Sequence, residues 1–428
     1  MANPSSDATP SSAGAVSPAD LVDASAIDSP DEPALVFGDG VVTYDTLRTL
    51  VGSRVATLRG VVTTGEVVPT PVRLDLPSIV ELLALPIAGA VPLPFVAEPP
   101  DIGALEAPGA VICVTTSGSQ GRRRTVPLTM GNIVASIEAS ARRLRTSSAD
   151  RWLLSLPIDH IGGLSVLYRS FAAGGTVVVA PFGGHDDLVL ATLPTIASVV
   201  PTMLHRLFEG PPSVVDAIGM FLVGGGPLRP SLLERAGAAG AGVAATYGST
   251  ETASQVATTE PGEPVRHAGY VGTPLDGFDV GIDADGSITV DGPAVFGGYL
   301  GEGRRTERHR TSDLGRWEDD GGLTVLGRHD DVVITGGVNV SLTAVGFAID
   351  ALTDVTDVAV IAIDDDEWGS AICALVESDL PLESLDERIG HILEGPQRPR
   401  HLRVIDRLPL LGNGKPDRAA IRAMFVDR

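Results

Sequence analysis

Short apolar runs and helix-period stretches alternate along most of the chain, and that alternation predicts the elements. Ala34–Phe37 and Val41–Tyr44 flank Gly38-Asp39-Gly40, which predicts a hairpin. The apolar stretch from Ile79 to Val96 contains Glu81, Pro86, Pro92 and Pro94, so it reads as a helix and a short strand, not a membrane span. Ala110–Thr115 has the composition of a buried strand, and Asn132–Leu144 is helical. Trp152–Leu156, Thr176–Ala180, Ala197–Val200, Met220–Val223 and Val243–Thr246 are further short strands. Helical segments such as Leu164–Ala173 and Ser231–Ala239 lie between them. The pattern predicts an α/β fold with a largely parallel sheet. From Gly269 to Leu326 it changes to short strands and glycine turns, as in a small β-rich subdomain. Beyond Gly327, a helix at Leu342–Ala351 and strands at Val358–Ile363 and Ile372–Val376 suit a small α+β domain. The expected division is a disordered tail over 1–32, a large domain over 33–328 and a small domain over 329–428.

Composition narrows the function. The 428 residues hold 31 Lys+Arg against 54 Asp+Glu, a formal net charge of −23. That balance argues against nucleic-acid binding, which needs a basic surface. Two cysteines, Cys113 and Cys373, are too few for a disulfide framework or a cysteine metal site. The first 30 residues lack both a basic and an apolar segment, so a signal peptide is not expected and a cytoplasmic protein without a membrane partner is. Only one of the 31 basic residues is a lysine, Lys415. An arginine bias of this kind normally reflects genome composition, which makes the exception worth following.

Four segments carry candidate chemistry. Thr115-Thr116-Ser117-Gly118-Ser119-Gln120-Gly121-Arg122-Arg123-Arg124 follows a strand, is expected to precede a helix, and suits close approach of backbone N–H groups to an anion. Taken alone it suits a solvated surface turn almost as well. Thr246-Tyr247-Gly248-Ser249-Thr250-Glu251 ends a strand with an aromatic ring, two hydroxyls and a carboxylate capable of holding Mg²⁺. Upstream, Gly224-Gly225-Gly226-Pro227 would let a flat ring lie on backbone, or is mere turn punctuation. Asp313, in Ser312-Asp313-Leu314-Gly315, and Arg328, in Gly327-Arg328-His329-Asp330, suit a ribose site or a solvated loop. Lys415 lies in Gly412-Asn413-Gly414-Lys415-Pro416, a loop context.

Together and in this order, the segments resemble the adenylate-forming superfamily of acyl- and aryl-CoA synthetases over roughly residues 34–428. Arg151–Pro157, His160-Ile161-Gly162-Gly163 and Tyr168-Arg169-Ser170 are similar to the o-succinylbenzoate–CoA ligases of menaquinone biosynthesis. The resemblance implies two steps: a carboxylate attacks the α-phosphorus of ATP to give an acyl-adenylate, and the thiol of CoA then displaces AMP. It further implies Mg²⁺ held by Glu251, with Lys415 bridging carboxylate and α-phosphate and Thr250 on phosphate. Thr116, Ser117, Gly118, Ser119, Gly121 and Arg124 would form the phosphate loop. Tyr247 would stack on adenine beside Gly224, Gly225, Gly226 and Gly248, and Asp313 and Arg328 would take the ribose. His160, Gly163 and Arg169 would meet the acid, Asp330 would be the hinge, and Gly336 and Gly337 would line the thiol tunnel.

The sequence departs from the family pattern in two places. Gln120, Arg123 and Arg124 stand where the phosphate loop usually has Thr, Pro and Lys, and Gly336–Ala344 lacks two acids and a proline. Such changes leave two alternatives: adenylation of another acid, passed to a carrier-protein thiol or other nucleophile, or a binding protein that no longer catalyses.

Overall fold

The computed structural model describes residues 17–103, 105–116, 123–411 and 414–426. Its largest feature is a nine-stranded sheet. In spatial order the strands are Thr273–Pro274, Ser254–Thr258, Val243–Ser249, Met220–Val223, Ile196–Val199, Arg151–Leu154, Thr176–Val179, Pro33–Phe37 and Gly40–Thr43. The six strands from Val243–Ser249 to Pro33–Phe37 pair in parallel, and the edges are antiparallel. Their central strands read as continuous apolar runs because both faces are covered. Helix Ile161–Ala173 is the main filler on one face, burying Leu164, Val166, Leu167, Tyr168 and Phe171. In open sheets of this kind, ligands gather beyond the carboxyl ends of the strands. Those ends lead here into 155–160, 200–202, 224–229 and 250–252, which hold most of the candidate residues.

A second, four-stranded antiparallel sheet is built from Asp279–Ile282, Ser287–Asp291, His309–Trp317 and Leu323–Arg328. It matches the expected β-rich region. Beyond it the small α+β part comprises the hairpin Val332–Thr335/Val338–Ser341 and helices Leu342–Asp350, Leu382–Ile392 and Arg418–Val426. Its three-stranded sheet is Asp357–Asp365, Gly369–Glu377 and His401–Ile405. Among the described residues, three apolar clusters draw on residues 19–325 and two others on residues 333–425, so the parts bury separate cores.

Two expectations need correction. The phosphate-loop segment does not run directly into a helix. Ala110–Thr116 pairs antiparallel with Arg124–Thr129, and only then does helix Met130–Leu144 begin. The described ends of the segment are therefore paired strands, with Thr116 opposite Arg124.

The second correction concerns the tail. Residues 1–16 lie outside the described residues, but Pro18–Asp28 form a helix. It opens with Pro at its first position and with the Ser17 amide donating to Asp20 Oδ2 at 2.7 Å. Ala19, Leu21, Val22 and Ala26 are buried in the main core, and Ser25 Oγ donates to the carbonyl of Phe171 at 2.9 Å. Each buried Leu or Val is worth about 1.5–3 kcal/mol. Deleting residues 1–30 should accordingly lower unfolding stability by at least about 3 kcal/mol. Urea denaturation checks this, and an unchanged midpoint would return the segment to a dispensable tail.

Candidate active site

Strand Val243–Ser249 carries the centre of the site. Tyr247 is buried, and its hydroxyl donates to Asp313 Oδ2 at 2.8 Å. Asp313 and Arg328 are cross-strand partners, and Arg328 Nη1 donates to Asp313 Oδ1 at 3.3 Å. Burial pushes the Asp313 carboxyl up, against the pull of Arg328. Burial, reinforced by Asp313, holds Tyr247 well above the usual phenol range. Arg328 Nε is buried without a hydrogen-bond partner, so the pair still has a donor to offer a hydroxylated ligand.

The glycines have local reasons. A Cβ on Gly224 would stand 2.7 Å from the Thr246 methyl. Gly225 has φ +77°, a left-handed conformation. Gly248 sits at a register shift where any Cβ would collide with the Ser254 carbonyl. Gly226 lies over the Pro201 ring.

Thr250 and Glu251 form a single 3₁₀ turn directly after that strand. Glu251 Oε1 accepts from the Tyr299 hydroxyl at 2.9 Å. The Arg124 guanidinium lies over the Tyr299 ring at 4.6 Å and is 3.6 Å from the Glu302 carboxylate. Thr116 Oγ1 lies 3.3 Å from the Arg124 carbonyl oxygen, to which it donates. Glu251, Tyr299 and Arg124 thus link the hairpin to the strand end. With one Glu251 oxygen oriented by Tyr299, the carboxylate fits Mg²⁺, which binds through one or two carboxylates plus substrate phosphates. Ser117, Gly118, Ser119 and Gly121 lie outside the described residues.

Lys415 arrives from the small domain. Thr202 Oγ1 donates to the Gly414 carbonyl, and Gly414 has φ +79°. A Cβ on Gly225 would be 3.6 Å from Lys415 Cε and 3.9 Å from Nζ, so the lysine lies directly over the glycine turn. Burial lowers the Lys415 pKa, Arg328 lowers it further, and Asp313 opposes both. His160 caps helix Ile161–Ala173 by position. Burial lowers its pKa, Asp159 opposes that, and Lys415 and Arg123 lower it further. Lys415, Arg328, Asp313 and His160 therefore share one electrostatic neighbourhood.

At the other end of the site lies Arg169, only 4% exposed. Nη2 donates to Ser254 Oγ at 3.0 Å, while Nε is buried with no hydrogen-bond partner. Among the described residues no carboxylate pairs with it, and burial alone lowers its pKa to about 9. It borders a small cavity lined also by Ser165, Tyr168, Ile133 and Ile137, and the Tyr168 hydroxyl is likewise buried without a partner. Ser254 holds φ +110°, a conformation rarely adopted by a residue with a side chain. Gly163 has a different explanation from the expected acid contact. A Cβ there would lie 2.8 Å from the Leu156 carbonyl oxygen, so packing already requires glycine.

Of the residues expected to serve as hinge and thiol tunnel, Asp330 borders this cluster through Arg328. Asp330 sits in the 3₁₀ turn His329–Asp331, 3.6 Å from Arg328 Nη2. Gly336 and Gly337, with φ +56° and +79°, form the exposed tip of the hairpin beside Trp368. Tyr299 and Ser254 were not singled out from the sequence. Each acts across the fold on a motif residue, and neither sits in a motif of its own.

The profile of the family described as AMP-binding enzyme matches residues 101–300, and that of the AMP-binding enzyme C-terminal domain matches 348–415. A 2-succinylbenzoate–CoA ligase of Bacillus licheniformis is 34% identical over 335 residues, covering 74% of this chain and 70% of that protein. One from Listeria monocytogenes is 32% identical over 320 residues, covering 72% and 68%. The o-succinylbenzoate CoA synthetase of Bacillus subtilis, solved with the acyl-adenylate intermediate OSB-AMP, superposes with TM-score 0.80 at 26% identity, over 94% of this chain and 97% of that one. ATP-bound MatB of Rhodopseudomonas palustris shares the fold, with TM-score 0.83 at 24% identity over 96% and 98%.

A buried guanidinium without a counter-ion costs folding free energy that a ligand carboxylate could recover. Arg169→Met should therefore make the ligand-free protein more stable by about 1–3 kcal/mol. Chemical denaturation of the two proteins measures this; a less stable variant would show that Arg169 is a structural residue already satisfied where it sits.

Proposed function

The chain belongs to the AMP-binding enzyme family and is an AMP-forming acid–CoA ligase, and we propose that its acid is o-succinylbenzoate. The observation that carries this reading is Arg169. A second carboxylate on the acid would supply the counter-ion that the cavity lacks, through charge-assisted hydrogen bonds that a planar guanidinium makes well. The apolar side chains of Ile133 and Ile137 suit the aromatic ring.

In the first step an oxygen of the other carboxylate attacks the α-phosphorus of ATP. The bond from that phosphorus to the bridging oxygen breaks, and pyrophosphate leaves. Attack brings an anion against a polyanion, so the barrier depends on cations placed before the reaction begins. Lys415 serves as that cation, set over the Gly224–Gly226 turn. Asp313 and Arg328 hold the ribose, with Tyr247 fixing the Asp313 carboxylate. Glu251 would hold Mg²⁺, which when bound neutralises phosphate charge. Arg124 and Thr116 face the phosphates from the hairpin. In the second step the CoA sulfur attacks the acyl carbon and AMP departs. A pivot at Asp330 withdraws Lys415 and presents the Gly336-Gly337 tip to the incoming thiol. Among the described residues no helix is long and apolar enough to cross a membrane.

Two experiments test the reading. Lys415→Ala should abolish o-succinylbenzoate-dependent ATP–pyrophosphate exchange while sparing thioester formation from preformed acyl-adenylate. Because burial lowers the Lys415 pKa, exchange by the unaltered enzyme should fall on the alkaline side sooner than an ordinary lysine would dictate. Exchange that survives Lys415→Ala would remove Lys415 from the first step. For the acid, Arg169→Met should raise KM for o-succinylbenzoate at least about 30-fold and that for a monocarboxylic aroyl analogue far less. Equal increases for both acids would take Arg169 out of the acid pocket.

A further inference from the structure

The small domain is held against the large one by groups that the chemistry above does not use. Helix Pro230–Ala238 of the large domain starts after Arg229, whose side chain makes no capping hydrogen bond. The missing acceptor comes from the other domain. Asp350 Oδ2 accepts from the Ser231 amide at 3.2 Å and from Ser231 Oγ at 2.7 Å. Asp350 is 1% exposed and is the last residue of helix Leu342–Asp350. A carboxylate at the C-terminal end of its own helix opposes that helix's dipole, and the last turn contains no basic residue to offset it. At the N-terminal end of Pro230–Ala238 the same carboxylate is favourable. Asp350 is thus badly placed for its own domain and well placed for the neighbouring one.

Arg229 crosses the same seam in the opposite direction. Its Nη1 bonds the Asp357 carboxylate and lies 3.6 Å from Asp350 Oδ1, and its Nη2 donates to the Val358 carbonyl. Asp357 and Asp350 are both buried. The other polar cluster on this seam, His205, Glu209 and Glu377, does not suit a metal. Arg235 Nη1 lies 2.9 Å from His205 Nδ1, and Arg407 Nη2 donates to Glu209 at 2.7 Å, so cations already fill the places around it.

We infer that Arg229, Asp350 and Asp357 form an interdomain lock of positioning residues that holds Lys415 at the nucleotide turn and so favours adenylation over thioester formation. This rests on the reading of Lys415 given above. The lock suits a reversible switch. When the domains part, all three charges return to water and recover their solvation, so the net cost of opening is smaller than the number of contacts suggests. A purely apolar seam would offer no such compensation.

The test uses the full chain carrying Arg229→Gln or Asp350→Asn, with o-succinylbenzoate, ATP and CoA. ATP–pyrophosphate exchange should fall at least about tenfold in Arg229→Gln, as for truncation of one partner in a buried charge pair. Thioester formation from preformed acyl-adenylate should hold or rise in both variants, and small-angle scattering should show a shift away from the docked arrangement. Parallel losses in both half-reactions, with a lowered urea midpoint, would make these residues merely structural and overturn the lock. Unchanged exchange and scattering would overturn it as well. Lys415→Ala in the same assays separates the two ideas. If that variant loses exchange while the lock variants behave like the unaltered enzyme, the lock alone fails; if that variant keeps exchange, it is the role of Lys415 that fails.

Discussion

Lys415 lies over a backbone turn that has no side chains, and much of the surrounding structure follows from that contact. The Gly224–Gly226 turn supplies the bare surface, with Gly225 in a conformation that suits glycine. The turn exists because strand Met220–Val223 ends there, in the middle of the parallel sheet, where the carboxyl ends of the strands open into a crevice. Thr202, which holds the Gly414 carbonyl, follows the adjacent strand Ile196–Val199. The sheet thus presents two neighbouring strand ends to a loop from another domain. On the proposed mechanism the seam between the domains has to be strong enough to seat the loop and weak enough to release it, which charged groups manage better than a packed apolar face.

The pocket applies one tactic at two sites. Arg328 and Arg169 each keep Nε buried and without a hydrogen-bond partner. Such an atom is costly in the free protein and becomes satisfied only when a polar ligand arrives. The cost is moderated differently in each case. Arg328 leans on Asp313 and Asp330, so its charge is already compensated. Among the described residues Arg169 has only the Ser254 hydroxyl and the distant face of Trp152, 5.7 Å from its guanidinium carbon. On the function proposed above, the uncompensated arginine meets the charge of the acid and the compensated one meets ribose hydroxyls.

What the sequence revealed is what is local in it. Tyr247, Glu251, Asp313, Arg328 and Lys415 stand in short ordered segments, so their types and spacing could be read directly. The parallel core was equally legible, since strands covered on both faces are continuous apolar runs. Contacts made across the fold were not. Tyr299 orients Glu251 from 48 positions away, Ser254 meets Arg169 from 85, and Asp350 caps Ser231 from 119. Strand Arg124–Thr129 was hidden by its own composition, because Pro127 and the preceding arginines resemble loop sequence. Helix Pro18–Asp28 was hidden by Ser, Ala and Asp, which also occur in disordered segments. Its apolar face is narrow and only tertiary packing makes it count.

The single lysine gains its meaning from the arginines around it. Arg229 uses both terminal nitrogens at once, on a carboxylate and a carbonyl, and Arg328 links two aspartates. These are tasks for a planar fork with several fixed donors. The Lys415 site asks for the opposite. Its occupant passes close over a backbone turn, and on the proposed mechanism it meets oxygens from two different molecules whose positions change as they react, and then leaves. A compact ammonium with freely rotating donors meets those conditions, whereas a guanidinium would need a wider passage and would bind one geometry too well to release it. A chain that uses arginine for 30 of its 31 basic residues shows no general aversion to that side chain. Its one exception lies where rigidity and breadth are liabilities, so steric and kinetic demands at the Gly225 turn account for the lysine better than charge does.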